Sequence, residues 1–98
     1  MSTIENIIET LETKLGAIDA FDKKIKLILD DEIIIIDGHT QPPSLAQTAD
    51  EVDITATTTI EVFSQILARE INVQMAMMTG KIKTEGNLVA AVPLMKLL

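Results

Sequence analysis

Apolar residues recur along this chain with two different periods, and the changes of period mark out its elements. Ile4, Ile7, Ile8, Leu11 and Leu15 stand three and four apart within residues 3–15, the spacing of one face of an α-helix. Ser2 and Glu5 make a capping box ahead of that helix, and Gly16 stops it. Its other face carries Glu5, Glu9 and Glu12 and reads as solvated. The period then drops to two. Ile25, Leu27 and Leu29 share one side of a strand over residues 24–29, and four isoleucines fill positions 33–36 after the acidic junction Asp30-Asp31-Glu32. Two such strands joined so briefly predict an antiparallel hairpin. The isoleucine run either buries both faces of a central strand or leaves one apolar face for a partner or ligand.

A loop is expected from Asp37-Gly38 through Pro42-Pro43, followed by a short strand near residues 44–47. Residues 51–57 alternate again, with Val52, Ile54 and Ala56 inward. Thr58 is expected to open a helix, with Glu61 completing a second capping box and Ile60, Phe63, Ile66 and Leu67 as its apolar stripe. Asn72 then restarts the chain into residues 72–88, NVQMAMMTGKIKTEGNL, the unit around which the remainder is expected to pack. There a methionine-rich turn (Met75, Met77, Met78) stops at Gly80, which suits the left-handed position ending a helix. A strand over residues 81–85 follows, with Lys81 and Lys83 on one side and Ile82 and Thr84 on the other. Gly86 stops that strand, and Asn87 caps a last helix. Residues 88–98 are apolar almost all round, so this helix must be buried, close a cavity or meet a partner. Pro93 inside it predicts a kink.

Composition narrows the function. A chain of 98 residues predicts a single domain over residues 1–98 with one core and at most one site. Hydrophobic residues make up 47% of it, yet Phe21 and Phe63 are its only aromatics. A net charge of −7 with so few rings to stack bases argues against nucleic acid. The absence of cysteine excludes disulfides, thiolate chemistry and Cys-based zinc sites. Ser2, Thr3 and acidic residues stand where a signal peptide would place a basic stretch and an apolar run. No apolar run reaches the roughly 18 to 20 residues that span a bilayer. A cytoplasmic protein is expected. His39, the one histidine, lies in a turn-rich segment without a second His, a Cys or a Ser arranged around it, so it reads as an exposed loop residue. Asp30, Asp31, Glu32 and Asp37 read as solvated turn carboxylates. No nucleophile–base pair, phosphate loop or metal constellation stands out, so neither an enzyme nor a cofactor is expected.

One run of residues resembles a known family. Asp53-Ile54-Thr55, Glu61-Val62-Phe63, Asn72, Gln74, Ala76, Met78, Gly80-Lys81-Ile82-Lys83, Gly86-Asn87 and residues 94–98 follow in order the pattern of the sterol carrier protein 2 (SCP-2) domains. The resemblance is carried by the second half of the chain. Val73 stands for a usual proline, Met77 for a usual aromatic, Thr84 for a usually apolar strand residue and Pro93 for an ordinary helix former, and two of these departures fall where the family's cavity wall would lie. The resemblance implies an α+β fold, with a roughly five-stranded, mostly antiparallel sheet covered on one face by helices that enclose an apolar tunnel.

The residues themselves supply soft, adaptable walls of the kind such a tunnel needs. The expected function is non-catalytic binding or transfer of a lipid chain: fatty acyl, sterol-like or isoprenoid. Phe63, Ile66, Leu67, Met75, Met78, Leu88, Val92 and Met95 are the expected lining, with the kinked last helix as gate. Lys81 and Lys83 are candidates for a headgroup or a transient membrane contact. The alternative is an accessory interaction module that uses the isoleucine-rich sheet face or the last helix to form a homodimer or bind a lipid-metabolising enzyme.

Overall fold

The computed structural model describes residues 4–47 and 51–98. Helix α1 (Ile4–Leu15) leads into strands β1 (Lys24–Leu29), β2 (Glu32–Asp37), β3 (Ser44–Ala46) and β4 (Ile54–Thr58). Helices α2 (Ile60–Leu67) and α3 (Val73–Met78) follow, then β5 (Lys83–Gly86) and a 3-10 turn (Leu88–Ala90) that runs into α4 (Ala91–Leu97). The strands form one sheet in the order β3-β2-β1-β4-β5. Three neighbouring pairs are antiparallel and β1 lies parallel to β4.

Register explains which face is covered. Ile25 lies opposite Ile36 and Ile54, and Leu27 opposite Ile34 and Ala56, so these side chains rise on one side of the pleat. All of them are buried. The helices bring Leu11 and Leu15 of α1, Phe63 and Ile66 of α2, Ala76 of α3 and Leu94 of α4 onto that face. The isoleucine run of β2 divides residue by residue. Ile34 and Ile36 enter this core, Ile35 is buried from the opposite face, and Ile33 is 49% exposed.

Element ends differ from expectation in ways that hydrogen bonds explain. Thr58 does not open a helix; it closes β4, drawn on by its pairing with Leu29, and its hydroxyl donates to the carbonyl of Lys81 at 2.8 Å. Thr59 caps α2 instead, accepting from the Val62 N–H, and this shift by one residue takes Glu61 out of the capping-box position. Ser2 of the first expected capping box lies outside the described residues. Strand β5 begins at Lys83 and not at Lys81, because the N–H groups of Lys81 and Ile82 both turn back to the carbonyl of Ala76. Pro93 falls in the first turn of α4, where its missing N–H has no intrahelical partner to lose. The 3-10 turn Leu88–Ala90 runs directly into that first turn. His39 lies on the loop after β2; its backbone N–H donates to Asp37 at 2.9 Å, and its half-exposed ring sits 3.1 Å from the same oxygen. These contacts, the backbone one first, hold the Asp37 carboxyl below its ordinary value.

Candidate functional site

The helical layer leaves a groove between the α2–α3 link and α4, and the ends of the helices shape it. α2 stops in a Schellman motif: the Glu70 N–H donates to Gln65 O at 2.8 Å and the Arg69 N–H to Ile66 O at 3.0 Å. Arg69 itself takes φ +63°. The chain turns through Ile71, and the Asn72 side chain caps α3 by accepting from the N–H groups of Gln74 and Met75. α3 ends in the same motif, with Lys81 N–H on Ala76 O at 2.8 Å and Gly80 at φ +81°. Asn87 accepts from Val89 N–H and starts the last helical segment. Gly86 before it has φ +116°, and a Cβ there would lie 2.6 Å from Asp53 O. Only glycine meets both conditions.

The groove has a volume of about 520 Å³. Arg69, Asn72 and Gln74 line it from the α2–α3 side, and Val92, Met95 and Lys96 from α4. Beneath it, Phe63, Met77, Ile82 and Leu94 surround a crevice of about 10 Å³, room for about one water molecule. Val73, Met95 and Leu98 line both spaces. Three side chains without a polar atom therefore stand between an open groove and a closed apolar interior. None of the described Asp or Glu side chains lines the groove, although the chain has 15 acidic residues.

The expected lining residues fall into three groups. Ile66, Val92 and Met95 line the groove, and Phe63 and Met95 line the crevice. Leu67 is half-buried against the core. Met75, Met78 and Leu88 line neither space and are 58%, 82% and 63% exposed. Of the three clustered methionines only Met77 packs on the core, because a six-residue helix resting on the buried Ala76 turns one narrow face inward. Sequence reasoning missed Arg69, Lys96 and Leu98 as groove residues. Arg69 had a signal: a lone arginine just past an apolar stripe, where a helix end favours glycine.

A comparison of the chain with protein families settles its kinship. The chain belongs to the SCP-2 sterol transfer family. That family's model matches residues 4–98, and membership places the chain among domains that bind and transfer lipids. Solved structures repeat the fold. The chain is similar to sterol carrier protein 2-like 2 from Aedes aegypti in its crystal structure, with 23% identity, 97% of this chain and 95% of that one covered, and a TM-score of 0.75. For the solution structure of the palmitated form of that protein the values are 23%, 99%, 94% and 0.76. The inverting sec-alkylsulfatase Pisa1 from Pseudomonas sp. is also similar, with 17% identity over 98% of this chain but 16% of the enzyme, and a TM-score of 0.68. No curated protein matches the chain by sequence.

Proposed function

We propose that this chain is a non-catalytic carrier that takes the apolar part of a lipid into the groove and the crevice beneath it. The observation that carries this reading is the shared wall. Rotation of Val73, Met95 and Leu98 would join the two spaces, and Met95 is a side chain with the freedom to do so. Burial of a chain there is worth roughly 0.8 kcal/mol per CH₂. The palmitated state of one structural relative supports a fatty acyl ligand, and the family description a sterol-like one. Among the described residues no helix is long and apolar enough to cross a membrane, in keeping with a cytoplasmic carrier. The exposed Met75, Met78, Leu88 and Val89 suit brief contact with a bilayer during loading, with Lys81 and Lys83 close in sequence.

Native mass spectrometry of the purified protein, followed by organic extraction and lipid titration, tests the reading. A bound fatty acid, sterol or prenyl lipid is expected in wild type and at much lower occupancy in Met95→Lys, whose ammonium would enter the apolar wall. A protein that stays free of lipid throughout the titration would sink the proposal.

The interaction-module reading has one observation in its favour. Ile33 is exposed beside a second groove of about 430 Å³ that Ile4, Ile8 and Leu45 also line. Sedimentation decides it: a homodimer dispersed by Ile33→Lys supports that reading, and a strict monomer removes it.

A further inference from the structure

The side chains that line the groove are charged in the opposite sense to the protein that carries it. The net charge is −7, yet the ionic side chains lining the groove are Arg69 and Lys96. Among the described residues neither cation has a carboxylate partner; the one close contact of ionisable groups there joins His39 and Asp37. Arg69 is also the chain's single arginine, and it holds the left-handed position that closes α2. An L-residue is disfavoured there and glycine is not. A helix macrodipole favours a cation near a helix end, but it does not ask for one at the left-handed position itself. Asp22 and Asp30 take the left-handed region too; what sets Arg69 apart from them is that it lines the groove.

We propose that Arg69 and Lys96 form an anion-binding mouth over the apolar groove, selecting amphiphiles with one terminal anion over neutral alcohols and sterols of similar apolar bulk. The proposal rests on the carrier reading and specifies its ligand class. Guanidinium matches the two oxygens of a carboxylate or phosphate in paired hydrogen bonds, and the ammonium of Lys96 adds a point charge. Val92 and Met95 lie beside Lys96 on α4, and Ile66 lies just before Arg69. A head held by the cations thus leaves its chain against Val92, Met95 and Ile66, above the shared wall.

Competition binding on the full chain tests this with three ligands of equal chain length: palmitate, hexadecyl phosphate and hexadecanol. Wild type should prefer at least one of the two anions to the alcohol by about ten-fold, and the preference should shrink with added salt. In Arg69→Gly, which relieves the left-handed strain and so keeps α2 closed, the preference should fall; in the double variant with Lys96→Gln it should approach unity. The better-bound anion identifies the head as carboxylate or phosphate. Equal binding of all three ligands by wild type, or an unchanged preference in the double variant, overturns the proposal and leaves the carrier standing. Failure of wild type to bind any of the three overturns the carrier reading and the mouth with it.

Discussion

α2 and α3 are neighbours in the chain that end in the same hydrogen-bond motif and close it with opposite residues. At the left-handed position α3 has Gly80, where a Cβ would meet nothing within 4 Å, whereas α2 has Arg69. The difference follows from how each helix is held. α2 has eight residues and buries Phe63 and Ile66. α3 has six and buries only Ala76, well short of what a helix needs to persist through its own hydrogen bonds. Packing fixes α2, so its end is free to carry a residue chosen for another purpose. α3 depends on its ends, Asn72 in front and Gly80 behind, and there the least strained residue is needed.

Substitutions break or sharpen this contrast. Phe63→Ala removes the anchor of α2 and should destabilise the protein by about 3–5 kcal/mol, read as a lower midpoint in urea with an unchanged slope. A smaller loss, about 1–2 kcal/mol, is expected when Gly80→Arg grafts the ending of α2 onto α3, with faster amide exchange over residues 73–78. Reversing the graft should change the sign. Arg69→Gly is expected to raise stability by about 0.5–1 kcal/mol in the same titration; a loss would mean that the arginine side chain holds the α2–α3 link, and the contrast would fail. The smallest change belongs to Met78→Ala, within about 0.5 kcal/mol of wild type, because that side chain is 82% exposed.

The order of elements was legible because it depends on local periodicity. The hairpin, the Asn72 cap, the Gly80 stop and the exposed Lys83 of β5 all rest on spacings of two to four residues, and each appears in the structure. The candidate site was legible only in part. Ile66, Val92 and Met95 were named because apolar positions on facing helices meet over a sheet. Met75 and Leu88 were named for the same reason, yet lie outside both spaces, because sequence does not state how a short helix is rotated on its support. Arg69 could not be placed by periodicity, since it follows the last periodic residue of α2.

The sequence by itself determined the elements, their polarity and the family pattern, because propensities, caps and alternation act between near neighbours. Tertiary structure alone decided that β1 lies parallel to β4 and that Thr58 belongs to a strand, since both follow from pairing between distant residues. It alone brought Arg69 and Lys96 to one groove. Such a meeting depends on how two helices are set on the sheet, and that is the outcome of packing the whole core at once.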